Sequence, residues 1–441
     1  MRKILIFCLS VLIFASVLHS APQLGGEMKF SGLWYMTPNK WQYARDNYQL
    51  FDLTMSDDPT DNISYKARVQ TRLFRGGTVS SLSDLSDFKA VSAYEIIPWE
   101  IWVKINDIPF KNLSIKAGKQ YFEWGTADGI HPGSALNPDD YTNPFAMGDK
   151  IPVTALDLNY TFNSVKFDLV WVPVFTPVKM PKYFPMFDNS AYQMPGFEIV
   201  STTEALTLPK QKAGGMGMAA NLAFSLFNID FSVGAFDGYD YLPKLKQLTY
   251  DTTSAGVAKL ALDADFDFPK LRLYSFNAAS DIAGIGYWLE AGVYDYNNAA
   301  SLSSSPFGVQ STTVFDGKPY ISYVAGGDYN FQNGLYINLQ YACGLPYVRG
   351  KGNMEDYLML SVKQDFFYGL LDVELANMFG ARKKYALKDN YEVMLMQKLS
   401  YNATDNLVFS LFVSEIGAKG HTLFNAWKDY DSLGIEFSYA F

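Results

Sequence analysis

Residues 431–441 read DSLGIEFSYAF. Leu433, Ile435, Phe437, Tyr439 and Phe441 alternate with Ser432, Gly434, Glu436, Ser438 and Ala440, the period a strand shows when one face meets an apolar medium and the other a polar one. No helical period fits this spacing. A terminal strand in a soluble protein is an edge that attracts partners, so five large apolar residues on one of its faces must be covered. Two environments satisfy the pattern: a buried edge of a secreted sandwich, or a strand crossing a membrane. The rest of the chain decides between them.

At the other end, Arg2 and Lys3 precede an apolar run from Ile4 to Leu18, followed by small residues and Pro22. This is the n-region, h-region and cleavage pattern of a secretory signal, and it predicts a signal peptide over 1–20 with cleavage near Ser20. Cys8 lies too early in the run to serve as a lipoprotein acceptor. After this segment no window holds the ~18 consecutive apolar residues that a membrane helix needs. If the mature chain, 21–441, enters a membrane, it does so as a single transmembrane β-barrel domain.

Composition is consistent with this. Losing Arg2 and Lys3 with the signal leaves 34 of the 36 basic residues against all 45 acidic ones, a net of −11, and this disfavours a nucleic-acid partner. Cys343 is the only mature cysteine, so no internal disulfide is expected. The 30 Tyr, 33 Phe and 8 Trp suit aromatic girdles at two membrane interfaces.

Alternating segments recur along the chain. Strands are predicted at 24–36, 48–56, 61–75, 91–107, 111–124, 153–162, 165–175, 213–227, 228–239, 268–280, 284–296, 318–330, 335–345, 356–367, 370–380, 390–401, 406–416 and 431–441. That makes about eighteen, in an all-β, transmembrane, antiparallel up-and-down barrel. Connections alternate between tight, as at 162–165 and 227–229, and long, as at 125–152, 176–212 and 240–267. Bacterial barrels place short turns in the periplasm and long loops outside, which demands an even count. Residues 255–266 are also strand-like, and parity assigns them to an outer loop or hairpin.

The faces are legible in the pattern. Ile63, Tyr65, Ala67, Val69 and Leu73 oppose Lys66, Arg68, Gln70 and Arg72, while Ile97, Trp99, Ile101, Val103 and Ile105 oppose Glu100, Trp102, Lys104 and Asn106. A charge on the lipid face costs ~2–4 kcal/mol at mid-bilayer, so the charged faces must line the lumen. Lys66, Arg68, Arg72, Lys104 and Lys116 then form a basic wall opposite Glu290, Asp372, Glu374, Glu392 and Glu436. Such a wall either imposes a transverse field on solutes or simply keeps the lumen wet.

Between the fifth and sixth strands, Trp124-Gly125, Asp128, His131 and Asn137-Pro138-Asp139-Asp140 stand among Pro132, Pro144 and Pro152, which break any ladder. A 28-residue loop of this kind is long enough to fold inward, and 125–152 is predicted to constrict the lumen. His131 with Ser134 and Asn137 lacks base-orienting geometry within one loop, so no catalytic site is expected. Asp128, Asp139 and Asp140 have oxygen ligands suited to a hard cation, but Asp in such turns more often caps its own backbone; no metal or cofactor is expected.

The ending Phe437-Ser438-Tyr439-Ala440-Phe441 resembles the carboxy-terminal targeting strand of bacterial outer-membrane barrels, which implies recognition of Phe441 by the insertion machinery. Gly118-Lys119-Gln120 through Gly125, the Asn137-Pro138-Asp139-Asp140 turn, Pro173-Val174-Phe175-Thr176-Pro177 and Trp288-Leu289-Glu290-Ala291 are similar to stretches of a family of large outer-membrane barrels related to alginate-export-type channels. The resemblance covers about a third of the mature chain, chiefly 113–181 and 271–296. It implies an eighteen-stranded monomeric channel and carries over no substrate. The family's exporter lines its lumen densely with Arg and Lys, whereas the basic patch here lies on one side, which disfavours polyanion export.

Three functions remain open at this point. The first is a porin-like channel for passive passage of small hydrophilic or amphipathic solutes in the outer membrane of a Gram-negative-type bacterium. The second is a transporter of hydrophobic ligands captured by Tyr183, Phe184, Met186, Phe187, Tyr192 and Met194, or a polysaccharide-export-type channel. The third is a surface adhesin or other non-transport barrel.

Overall fold

The computed structural model describes residues 22–37, 40–43, 48–74, 79, 81–142, 149–180, 197–211, 216–252, 259–296, 300–305, 308–313, 318–382, 386–420 and 422–441. The segment 1–20 and the six residues Tyr183 to Met194 named above lie outside this set.

Eighteen strands form the barrel: β1 (Gln23–Thr37), β2 (Tyr48–Thr60), β3 (Ile63–Phe74), β4 (Tyr94–Asn106), β5 (Leu113–Gln120), β6 (Val153–Phe162), β7 (Val165–Val172), β8 (Gly217–Leu226), β9 (Ile229–Tyr239), β10 (Lys270–Ile282), β11 (Ile285–Asp295), β12 (Tyr320–Asn330), β13 (Leu335–Cys343), β14 (Asp356–Phe366), β15 (Leu371–Ala381), β16 (Tyr391–Thr404), β17 (Leu407–Lys419) and β18 (Ser432–Ala440). Each pairs antiparallel with its sequence neighbours, and β18 pairs with β1 to close the ring, Phe437 opposite Phe30. The terminal residue joins this seam: Phe441 exchanges backbone bonds with Gly26 at 2.9 and 3.0 Å, and its ring stacks on Phe51.

The alternation read from 431–441 is realised. Ile435, Tyr439 and Phe441 are exposed on the outside at 51%, 41% and 45%, while Ser432 on the inner face is buried. Around the wall the exposed apolar set continues through Phe30, Val103, Phe276, Leu339 and Leu411. The tight connections contain Phe227-Asn228 and Ala283-Gly284 with positive φ at both positions, the geometry of two-residue hairpin turns whose twist matches the flanking strands.

Two sequence expectations are corrected. First, β4 carries a bulge: Arg68 faces Glu100, but Val69 faces Pro98. The extra residue is Trp99, beside a proline that has no N–H for the ladder, and it turns inward; Ile97 now stands opposite the inward Gln70, while Ile96 and Val103 are exposed outside. Second, β5 and β7 stop at Gln120 and Val172, short of 124 and 175, because the chain bends into the lumen. Asn137 captures that bend, accepting from the Phe122 N–H at 2.7 Å and donating to the Gln120 and Ile151 carbonyls at 3.2 and 2.9 Å. The strand-like stretch near 255–266 stays out of the barrel, as loop parity required: it is Lys259–Asp267, in a hairpin with Lys244–Thr252 and part of a separate five-stranded sheet with Glu198–Thr207, Ala300–Ser305 and Gly308–Thr313, all from long connections. Its apolar interior is Leu248, Tyr250, Leu260, Leu262, Ala264 and Phe266.

Inside the barrel, two apolar clusters join wall to loops. Leu136 packs with Val153, Val170, Ala219, Phe236, Leu273 and Tyr320, and Ile130 packs with Val324, Ala342, Tyr357, Met378 and Phe424. The stretch 122–136 is thereby packed against strands β6 to β16. An open cavity lies on the other side of the segment, beside β1 to β4.

Candidate pore constriction

A cavity of about 720 Å³ separates the inward segment from the wall of β1 to β4. The wall contributes Lys29, Arg68, Gln70, Arg72 and Trp99; the segment contributes Tyr121, Phe122, Glu123, Trp124, His131, Asp140, Asp149 and Lys150.

The wall's cations are held in place by neighbours on alternate inward positions. Arg68 meets Asp52 through Nε at 2.8 and 3.0 Å and Nη2 at 2.7 Å, and Gln70 donates to the same carboxylate at 2.9 Å. Arg72 donates to Gln70 Oε1 at 2.8 Å and stands 5.3 Å over the Trp99 ring, whose Nε1 donates to the Tyr121 hydroxyl. Lys29 bridges Glu27 and Glu436 at 3.3 and 3.4 Å. Nearer the short-turn end, Lys66 pairs with Glu100 at 2.8 Å, and the Lys116 ammonium lies 4.4 Å over Trp102, with Lys104 across the strand pair.

The acidic half differs from the sequence expectation. Asp372 accepts from Asn402, and Glu374 sits in register with Lys363 and Lys398, both away from the cavity. Glu290 and Glu392, expected to line the pore, are 0% exposed. Glu392 accepts the Phe424 N–H of the last long loop at 2.7 Å, and Glu290 is sealed beneath residues 125–133. The carboxylates that line the cavity with Arg68 and Arg72 are Glu123, Asp140 and Asp149, carried on the inward segment itself, and Glu27 of the wall. Of the expected constriction residues, Trp124, His131 and Asp140 line the cavity. Asp128 instead accepts from Asn338 at 2.9 Å, and its backbone N–H and carbonyl bond the Gln340 side-chain amide at 3.4 and 3.1 Å; Asn137 staples the bend; Asp139 pairs with Lys150 and accepts from Tyr141.

Behind the segment a second polar contact fastens the loops to one another. Arg349 grips Asp240 through Nε at 2.5 Å and Nη2 at 3.1 Å, and the Tyr296 hydroxyl donates to the same carboxylate at 2.5 Å. Burial alone would raise the Asp240 carboxyl, but the guanidinium outweighs it and holds the group below its ordinary value of 3.8.

No protein-family model and no curated protein matches the chain. Two solved structures share its architecture over nearly the whole length. OccAB1 of Acinetobacter baumannii is 11% identical, with 95% of this chain and 96% of that one covered, at a TM-score of 0.53. OccAB2 of the same organism is 9% identical over 95% and 98%, at 0.50. These likenesses are of fold: the chain is a closed eighteen-stranded antiparallel barrel of the kind those structures have. They add no link to the alginate-export-type channels that residues 113–181 resemble.

Proposed function

We propose that this protein is a porin-like channel of an outer membrane, passing small hydrophilic or amphipathic solutes through an eccentric aperture between residues 121–150 and the wall of β1 to β4. The observation that carries this is the cavity itself: Lys29, Arg68 and Arg72 outnumber Glu27 on the wall, Glu123, Asp140 and Asp149 outnumber Lys150 on the segment, and Trp99, Tyr121, Phe122 and Trp124 line the same space. Opposed charges across a narrow water path act on a dipolar solute and align it, while the rings offer apolar surface to its body. Such a lining suits zwitterionic and amphipathic molecules better than a bare sugar or a long polyanion. The asymmetry of the basic wall also argues against a polysaccharide-export role for an alginate-export-type relative.

On this reading residues 1–20 direct export and are removed near Ser20, the strand ending in Phe441 is presented to the insertion machinery, the apolar belt contacts outer-membrane lipid, and the barrel works as a monomer without catalysis. Swelling of liposomes that contain the folded protein tests the proposal. Small amino acids should enter faster than neutral sugars of equal mass. No swelling with any solute, in liposomes that hold heat-modifiable barrel, would refute it.

A further inference from the structure

We infer that Glu290 is the positioning residue of the aperture: its carboxylate is the built-in ligand of an anion-binding nest formed by residues 125–133, and so sets where the inward segment stands. The inference rests on the channel reading above.

Glu290 projects inward from β11 and is fully buried. Its Oε2 accepts from the Thr126 N–H at 3.1 Å, the Ala127 N–H at 3.3 Å and lies 3.2 Å from His131 Nδ1; its Oε1 accepts from the Gly133 N–H at 2.9 Å. A carboxylate accepts at both oxygens, and here three partners gather on Oε2 and one on Oε1. All four come from one short stretch about 160 positions away in sequence, with separations of 157 to 164. Among the described residues no Lys or Arg pairs with it; the His131 ring is its one basic neighbour. Backbone N–H groups converging on an anion are the physical content of a nest, and here the anion belongs to the opposite wall.

The fit depends on missing side chains. A Cβ at Gly125 would stand 2.4 Å from His131 Nδ1 and 2.8 Å from Glu290 Oε2, and one at Gly292 would stand 2.2 Å from the Pro132 carbonyl oxygen. Glycine at these places lets the backbone of the segment close on the wall.

The charge is costly to bury without these donors. The donors come only from the inward segment, so carboxylate and segment stabilise each other as a pair. When the segment leaves, Glu290 stands in lumenal water and the β11 ladder is unbroken. A released state is therefore accessible, and Glu290 determines how seldom it is visited. The opposite face of the same segment carries Glu123 and Trp124 at the aperture, so release moves the constriction itself.

The test uses the full mature chain refolded in detergent and in planar bilayers, with Glu290→Ala, Glu290→Gln and Gly125→Ala. In Glu290→Ala, hydrogen exchange at the 126, 127 and 133 amides should speed up about ten- to a hundredfold, and the single conductance level of the parent should break into several. Millimolar acetate added to Glu290→Ala should refill the nest and restore both readouts. Gly125→Ala should show the same instability without rescue, because the added methyl blocks the nest. If Glu290→Ala does not assemble, Glu290→Gln and Gly125→Ala carry the comparison. Parental exchange and a single parental level in the variants would overturn the inference. A parent that carries no current would refute the channel reading, while the exchange and acetate arms still decide whether Glu290 pins the segment.

Discussion

Replacing Ile435 by Arg tests which side of the wall faces hydrocarbon. Ile435 is in the middle of β18, 51% exposed, opposite Gly32 of β1 and Leu411 of β17. Three residues on, Ser438 points inward beside Lys29 of β1 and near Glu436. An arginine on the lipid face near mid-bilayer costs ~2–4 kcal/mol, or about 30- to 700-fold in the folding equilibrium at roughly 1.4 kcal/mol per decade. The same side chain at 438 enters lumenal water with Glu436 at hand and should cost within about 0.5 kcal/mol, as for an ordinary surface change. Reversible urea unfolding in phospholipid vesicles, followed by tryptophan fluorescence, measures both. Equal costs, or a larger cost at 438 than at 435, would refute the assignment of faces.

Asn137→Ala removes three bonds at the bend and leaves the Phe122 N–H buried without its acceptor, a loss of about 1–3 kcal/mol. Limited proteolysis should then cut within 121–151 faster while the barrel stays heat-modifiable. Arg349→Ala strands the buried Asp240 carboxylate, a change of about 3–5 kcal/mol in similar buried pairs, and thermal unfolding should show a lower midpoint. The pH dependence follows from the depressed Asp240 value. The native pair contributes its full stability above the ordinary carboxyl value of 3.8 and loses it as pH falls through the lower folded value. Parental melting should therefore be insensitive to this group between pH 5 and 7; in Arg349→Ala burial is opposed only by the bonds from Tyr296 and the Leu242 N–H, so the carboxyl rises from its parental value and the loss should move to higher pH.

Much of the wall was legible because a barrel repeats one local rule. Period-two alternation at Ile63 to Arg72 and at Leu433 to Phe441, together with short-then-long connections, is enough to count eighteen strands and place Arg68 and Arg72 inside. The exceptions have local or distant causes. Pro98 in the middle of a strand is a visible sign of a bulge, and Trp99 changed sides because of it. The buried role of Glu290 had no local sign, since its partners lie about 160 residues away and its own strand looks regular. The glycines at 125 and 133 in GTADGIHPG, with Gly292 across from them, were the available hint of close approach. Glu123 and Asp149 escaped notice because their placement depends on how the inward segment turns, a matter of the distant Glu290 contact, the Asn137 bonds and the apolar contacts of Ile130 and Leu136 rather than of any pattern of their own.

The most direct test of an eccentric water path is single-channel current through Glu123→Cys in a Cys343→Ala background, before and after a bulky charged thiol reagent. The account predicts a steady ohmic current that drops when residue 123 is modified, with no change in the Cys343→Ala parent. A current indifferent to modification at 123, or no current at all, would contradict it.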